Sequence, residues 1–200
     1  INVHLASATE LEALPGGQKT VYASADMRAY EAVPTLVVKG QMKLGKTKAL
    51  RGYLDREFPE RPGALFRPVI RMVTFRQTFS KSMQREAFKD FELYSDHTGS
   101  LDHVRFPRLI VQVESLHRLH LGEAPEPIDV LILDEIESIL AQFNSGLLRH
   151  FNAAFAMFHW MLATAGRVIC MDANVGDRTL HVLQKMRPAH PPHFHWNQYQ

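Results

Sequence analysis

The stretch from residue 34 to residue 50 constrains the fold of this chain more than any other part of the sequence. An apolar run leads into the spacing Gly40-x-x-x-x-Gly45-Lys46-Thr47, and apolar residues then recur at helical spacing. The two glycines therefore lie between a predicted strand and a predicted helix, which is where this spacing forms a phosphate-binding loop. Glycine permits the tight turn, and backbone N–H groups at the start of the helix face the phosphate oxygens.

The side chains of this loop predict how it would hold a nucleotide. Lys46 is expected to reach the β and γ phosphates and to act as a catalytic residue, whereas Thr47 is expected to place its hydroxyl on Mg²⁺. The alternative is a chance match in a turn rich in glycine and lysine, which the flanking strand and helix disfavour. The predicted phosphate-binding residues are Gly40, Gln41, Met42, Lys43, Leu44, Gly45, Lys46 and Thr47.

Composition limits the remaining choices. With 200 residues, of which 46% are hydrophobic and 22% charged, the chain is long enough for one domain with a buried core. A formal net charge of +2 permits nucleic acid as a partner without requiring it. The single cysteine, Cys170, excludes an intrachain disulfide and suits an intracellular protein. We expect neither secretion nor membrane insertion, since the sequence shows no signal-peptide pattern and no apolar run of about 18 residues.

Apolar runs alternate with amphipathic helical patterns along the chain. This alternation predicts an α/β fold with a mainly parallel sheet and helices on both faces, in which functional loops gather at the carboxyl ends of the strands. We expect a covering segment at residues 1–33, the main lobe at residues 34–187, and a linker or final strand at residues 188–200. The predicted strands cover residues 36–38, 68–75, 91–94, 108–114, 128–133 and 168–171, and the predicted helices cover residues 46–57, 79–91, 137–143, 147–162 and 176–186.

Two adjacent carboxylates, Asp134 and Glu135, follow the fully apolar strand predicted at residues 128–133. A carboxylate at the end of such a strand is costly to bury unless a cation pairs with it, so we expect Asp134 to bind Mg²⁺. Glu135 is then placed to orient or deprotonate an attacking water, as the second catalytic residue. The alternative is an acidic helix cap after a strand.

Five stretches, taken in order, resemble the first motor lobe of superfamily 2 helicases. They are VVKGQMKLGKTKAL, VTFRQTF, RLIVQVESLHRL, DVLILDEIESILAQF and RVICMDANVGDRTLHVL, within residues 34–185. The nearest likeness is to the herpesvirus origin-binding protein helicase family and its relatives in large DNA viruses. The resemblance implies a RecA-like domain of the P-loop NTPase class that binds ATP and Mg²⁺ as part of a DNA helicase.

The resemblance also assigns roles to polar residues that follow the strands. Arg76 and Gln77 correspond to motif Ia, and Ser115 and His117 to motif Ib, which in such helicases contact the backbone of a single nucleic-acid strand. Asp172 stands where motif III couples ATP to strand movement. For Arg76 the alternative is a solvated or ion-paired arginine, and for Ser115 it is a helix N-cap.

Further partners follow from the resemblance. They are single-stranded or duplex DNA and a second RecA-like lobe of the same longer protein, at a viral replication site in the host nucleus or cytoplasm. Two departures stand out: Lys43 and Leu44 occupy positions where the family has small residues, and nothing after Asp172 matches the arginines of motif VI. Because an arginine finger accelerates hydrolysis by about 10³- to 10⁵-fold, the chain alone is expected to bind ATP but hydrolyse it slowly.

Two other functions stay open at the level of the sequence. A P-loop switch or binding module would use ATP to open or close a protein interface without moving along nucleic acid. A P-loop phosphotransferase is the weaker alternative, because the sequence shows no arginine-bearing lid that would cover the phosphates.

Overall fold

A computed structural model describes residues 33–41, 45–60, 63–64, 67–119, 128–146 and 148–197. The covering segment predicted at residues 1–33 lies outside this part of the chain, except for Val33. The same is true of Met42, Lys43 and Leu44 in the predicted loop. No helix in the described ranges is long and apolar enough to cross a membrane.

A parallel sheet forms the centre of the molecule. Its strands are β1 (Thr35–Gly40), β2 (Ile70–Thr74), β3 (Glu92–Leu93), β4 (Arg108–Gln112), β5 (Val130–Asp134), β6 (Arg167–Asp172) and β7 (His193–Asn197). The seven described strands lie in the order β3-β4-β2-β5-β6-β1-β7, and each pairs in parallel with its neighbours. Continuous apolar runs predicted β1, β2, β4, β5 and β6, because a strand covered on both faces has no polar side.

Helices cover both faces of the sheet. The α-helices are α1 (Lys46–Glu57), α2 (Gln77–Glu86), α3 (Ile136–Phe143), α4 (Phe151–Thr164) and α5 (Asp177–Met186), with short 3₁₀ helices at Tyr94–Asp96 and Val113–Leu119. On one face, α5 contacts α3 and α4, and α4 also contacts the second 3₁₀ helix. After β1 and β2 the chain moves along the sheet towards β3, whereas after the later strands it moves towards β7. Because the crossovers are right-handed, α1 and α2 lie on the face opposite to α3, α4 and α5.

The strand order brings three chemically distinct strand ends together. Strand β6 lies between β5 and β1, with Asp134 of β5 beside Met171 and Lys39 of β1 beside Asp172. Because all three strands run the same way, their carboxyl ends meet at one edge of the sheet, which we call the carboxyl edge. The loop after β1 and the acids that end β5 and β6 therefore share one location.

The strands begin at the opposite edge of the sheet, which we call the amino edge. Buried arginines join neighbouring segments there through hydrogen bonds. Arg187 is 2% exposed and lies after α5. Its guanidinium donates hydrogen bonds to the Thr35 hydroxyl at 2.8 Å and to the carbonyl oxygen of Leu162 at 2.9 Å. It also reaches the carbonyl oxygen of Gly166 at 3.3 Å. This one side chain thus joins the start of β1, the end of α4 and the start of β6.

The carboxyl-terminal tail contains a strand. Residues 188–200 were predicted as a linker or a final strand, and β7 pairs with β1 from Leu36 to Gly40. Residue 187 is therefore not the end of the lobe. Pairing with β7 satisfies backbone groups of β1 that an edge strand would expose, and His195 becomes 1% exposed as a result.

Candidate nucleotide site

The loop after β1 has the backbone conformation that its glycines predict. Gly45 has φ 80° and ψ 12°, in the left-handed region, directly before α1. A side chain at this position would be strained, so glycine lets the chain turn from the loop into the helix. The turn brings Lys46 back to the end of β1, where its Nζ donates hydrogen bonds to the carbonyl oxygens of Gly40 and Gln41, the latter at 2.8 Å.

Lys46 lies among three acids at the mouth of the loop. Burial lowers the pKa of its ammonium group, while the negative charges of Asp134, Asp172 and Glu135 oppose that shift. Thr47 is half-buried and lines the same open cleft, which measures about 470 Å³. Of the predicted phosphate-binding and Mg²⁺-binding residues, Gly45, Lys46, Thr47 and the distant Asp134 therefore line one cleft.

Asp134 is the most perturbed acid of this cleft. It ends β5 and is 5% exposed. Burial, the largest cause, and the charge of Glu135 raise the pKa of its carboxyl group to about 7 against the opposing effect of Lys46. A carboxylate in this state gains most from a divalent cation, since the ion supplies the charge that burial removed from contact with water. Its oxygens and the Thr47 hydroxyl are the hard donors that Mg²⁺ prefers, so this donor set fits that ion.

Glu135 has an unusual backbone. Its φ of 57° makes it the single non-glycine residue with positive φ in the described ranges. Its N–H donates to the carbonyl oxygen of Met171 at 2.8 Å and lies 3.1 Å from a carboxylate oxygen of Asp134. Strained conformations of this kind persist where the surroundings impose them, often at functional sites. Burial raises the pKa of Glu135, Asp172 adds to that shift, and Arg76 opposes it.

Asp172 connects the end of β6 to the start of α3. One carboxylate oxygen accepts the N–H of Glu137 at 2.9 Å, and the other accepts the N–H of Asn174 at 2.8 Å. The first of these bonds caps α3, whose own N-cap residue, Glu135, makes no capping bond with its side chain. A shift of Asp172 would therefore move the turn that carries Glu135.

Glu137, in the first turn of α3, connects α3 to the start of α5. Sequence analysis did not identify this residue as part of the site. One of its carboxylate oxygens accepts the N–H of Gly176 at 3.0 Å and the hydroxyl of Thr179 at 2.5 Å. The other pairs with the Arg178 guanidinium at 2.8 Å. These bonds hold the pKa of Glu137 below its usual value against the opposing effect of burial. In the sequence, Glu137 looks like any acid in the first turn of a helix.

The predicted nucleic-acid residues follow two neighbouring strands, β2 and β4. Arg76 is exposed, with its guanidinium 4.9 Å from the centre of the Phe75 ring, and Gln77 is the exposed first residue of α2. Ser115 is half-buried inside the 3₁₀ helix Val113–Leu119 rather than at its first residue, so it does not cap that helix. His117 contacts His150 at the start of α4, with 4.1 Å between the ring centres.

The parallel sheet, the loop after β1 and the acids at the ends of β5 and β6 define a RecA-like lobe of the P-loop NTPase class. Solved structures agree with this fold. Saccharomyces cerevisiae Dbp5, solved with ADP and other partners, matches 92% of this chain and 50% of its own with a TM-score of 0.56 at 13% identity. The yeast DEAD-box splicing factor Prp28 covers 86% of this chain and 43% of its own with a TM-score of 0.50 at 15% identity.

Sequence comparison places the chain within this class. The model of the family described as "Origin of replication binding protein" matches residues 20–200, so the chain belongs to that family. An African swine fever virus protein named for a helicase/primase complex is 53% identical over 94% of the chain. A replication origin-binding protein of human herpesvirus 6A is 36% identical over 82% of it. The chain spans 18% and 20% of the lengths of these two relatives.

Proposed function

We propose that this chain is the ATP-binding first lobe of an ATP-dependent DNA helicase or translocase that acts when viral DNA replication begins. The observation that carries the proposal is the convergence of Lys46, Asp134, Glu135 and Asp172 on one cleft beside the glycine loop. Such a site combines a cation for phosphates, a metal ligand and a candidate base. The names of the relatives, which refer to a helicase/primase complex and to origin binding, support the replication role.

Each side chain has a distinct role in the proposed reaction. Lys46 exchanges its carbonyl partners for the β and γ phosphates, and the amides at the start of α1 bind phosphate oxygens. Thr47 and Asp134 hold Mg²⁺, which when bound neutralises phosphate charge. Glu135, whose pKa is raised by burial, orients the attacking water and accepts its proton.

The coupling to DNA runs along the carboxyl edge. Arg76 and Gln77 at the start of α2, with Ser115 and His117 in the 3₁₀ helix, contact the backbone of a single strand. Arg76 also acts electrostatically on Glu135, so a phosphate bound to Arg76 changes the field at the candidate base. Asp172 is the coupling residue between the two sites. A second lobe of the longer protein completes the ATP site, and the chain alone hydrolyses ATP slowly.

ATP hydrolysis by the longest natural form of the protein tests this proposal, measured with and without single-stranded DNA. We expect DNA to stimulate hydrolysis, and Glu135→Gln to abolish hydrolysis while ATP still binds. Lys46→Ala should weaken ATP binding about tenfold or more, because a charge-assisted contact contributes roughly 1.5–3 kcal/mol. The matched control is Lys81→Ala on the exposed side of α2. A Lys46→Ala protein that binds ATP as tightly as the control contradicts the site.

The DNA-coupled motor is distinguished from an ATP-driven switch by Arg76. We expect Arg76→Ala to remove DNA stimulation while the basal rate persists, with Arg85→Ala at the exposed end of α2 as the matched control. Unstimulated turnover in the unmodified protein would favour the switch or phosphotransferase function. The roles of Arg76, Gln77, Ser115 and His117 would then be withdrawn.

A further inference from the structure

Helix α4 has an unusual composition for a helix at the surface. Its 14 residues, FNAAFAMFHWMLAT, include no Asp, Glu, Lys or Arg. Each of the other described α-helices carries at least one of these residues. One side of α4 is buried against the lobe, where Met157, Phe158 and Met161 pack. The residues that face outward are therefore uncharged as well.

Aromatic rings form part of this outward side. Phe151 is 41% exposed and Phe155 is 37% exposed. Their rings stack with 5.7 Å between centres and 5° between planes, and the edge of the Phe143 ring contacts both. The other exposed residues of the helix are Asn152, Ala153, Ala156, His159, Ala163 and Thr164, so the surface mixes apolar and polar side chains but carries no Asp, Glu, Lys or Arg. We call this surface, formed by the exposed residues of α4, the α4 face.

A helix that faces solvent normally carries charged residues on its outer side, and one that is apolar all around is normally buried. The core of a protein interface is likewise depleted of charged residues and enriched in aromatic ones, as the α4 face is. Within the chain the run from residue 138 to residue 171, which includes α4, contains no Asp or Glu, although the 3₁₀ helix that packs against α4 carries the exposed Glu114. Arg149 and His150 lie at the start of α4. A partner surface with an apolar centre and acidic edges complements this arrangement.

The relatives indicate where such a partner comes from. African swine fever virus proteins that are 53–54% identical to this chain extend far beyond it, since the matched region is 17–18% of their length. More than four-fifths of such a polypeptide lies outside the matched region. We propose that the α4 face is the docking surface for another domain of the same longer polypeptide, one that presents an apolar patch bordered by acidic residues. This inference does not depend on ATP or DNA binding, because the α4 face is separate from the nucleotide cleft.

Photo-crosslinking in the longest natural form of the protein tests the docking surface. The photoreactive amino acid p-benzoylphenylalanine replaces Ala156, and the control replaces Lys81 on the exposed side of α2, on the opposite face of the sheet. We expect the probe at position 156 to crosslink within one polypeptide, to a peptide outside the region that corresponds to this chain. The probe at position 81 should give no such product.

Phe155→Asp provides an independent measurement in the same protein. A carboxylate at this position would be desolvated against the apolar patch and repelled by its acidic edges, so we expect crosslinking from position 156 to fall about tenfold or more. The far-UV circular dichroism spectrum should not change, which shows that the lobe itself remains folded. Lys81→Asp is the matched control. The proposal is overturned if position 156 crosslinks only to a second copy or to added DNA, if it gives no crosslink, or if Phe155→Asp leaves the crosslink unchanged.

Discussion

The carboxyl and amino edges of the sheet bury charge in opposite ways. At the carboxyl edge, Asp134 is 5% exposed with a pKa raised to about 7, and Glu135 next to it has a left-handed backbone. At the amino edge, Arg187 is 2% exposed but spreads its hydrogen bonds over a hydroxyl and several carbonyl oxygens. At the amino edge the hydrogen-bond donors of Arg187 are satisfied within the protein, although burial lowers the pKa of its guanidinium group. At the carboxyl edge we propose that Asp134 meets its charge partner only when Mg²⁺ binds.

Other arginines repeat the pattern at the amino edge. Arg71 is 4% exposed and donates to the carbonyl oxygen of Phe106 at 2.8 Å and to that of Pro107 at 3.1 Å. Arg108, also 4% exposed, pairs with Asp90 and donates to a backbone carbonyl. Each arginine joins segments that are distant in sequence. We therefore expect substitutions at the amino edge to reduce stability and those at the carboxyl edge to reduce function, with some gain in stability.

Arg187→Met should give the largest effect on stability. The substitution keeps an apolar stem but leaves the Thr35 hydroxyl and the carbonyl oxygens of Leu162 and Gly166 without this donor. A buried acceptor that loses its partner costs roughly 1–3 kcal/mol, so we expect the free energy of unfolding to fall by about 4 kcal/mol. Urea denaturation measures it, with exposed Arg85→Met as a control that should change it by less than about 0.5 kcal/mol. A loss of similar size in both variants would contradict the special role of the amino edge.

Asp134→Asn should raise the free energy of unfolding when metal and nucleotide are absent, whereas Arg187→Met lowers it. The folded pKa of about 7 lies above the value of 3.8 for an unperturbed carboxyl, so the folded state binds this proton more tightly than the unfolded state does. The stability of the unmodified protein therefore falls as pH rises from about 4 to about 7. Asparagine removes that loss, and we expect a gain of up to about 4 kcal/mol at pH 8 that disappears near pH 4.

Urea denaturation in EDTA at several pH values measures this gain. In the same variant, Mg²⁺ should no longer strengthen ATP binding, which ties the gain in stability to a loss of function. An unchanged pH dependence would mean that Asp134 is not the titrating group. A loss of stability at pH 8 would mean that other groups of the protein stabilise the carboxylate form of Asp134.

Glu137 lies at the carboxyl edge, but its carboxylate is hydrogen-bonded and ion-paired within the protein, as the arginines of the amino edge are hydrogen-bonded. Glu137→Gln removes the charge that pairs with Arg178, and we expect a loss of about 1 kcal/mol at pH 7. Its folded pKa is depressed, so this contribution is present above the unfolded pKa and is lost as pH falls through the folded value. Urea denaturation at pH 7 and pH 3 measures the difference. A gain in stability at pH 7 would place Glu137 with Asp134 instead.

Much of this fold was predictable because it rests on local patterns. Apolar runs predicted the strands that precede Gly40 and Asp134, and the polar residues after them predicted which edge carries the site. Contacts between distant residues were not predictable. Nothing in the sequence near Arg187 indicates that it binds β1 and the end of α4, since those partners lie about 150 and 25 residues earlier in the chain. The hydrogen bonds that Glu137 accepts from Gly176 and Thr179 were not predicted for the same reason.

The left-handed backbone of Glu135 was also not predictable, because it is imposed by hydrogen bonds to Met171 and Asp134 rather than by local preference. Relief of the left-handed conformation at Glu135 should give the smallest change in the free energy of unfolding. Glu135→Gly and Glu135→Ala remove the same carboxylate, but only glycine relieves the backbone strain of roughly 1–2 kcal/mol. Because glycine also makes the unfolded chain more flexible, we expect Glu135→Gly to be more stable than Glu135→Ala by about 0.5 kcal/mol, while both variants lose ATP hydrolysis. Equal stability of the two variants in urea would mean that the carboxyl edge stores no backbone strain at Glu135, and that its cost comes from buried charge alone.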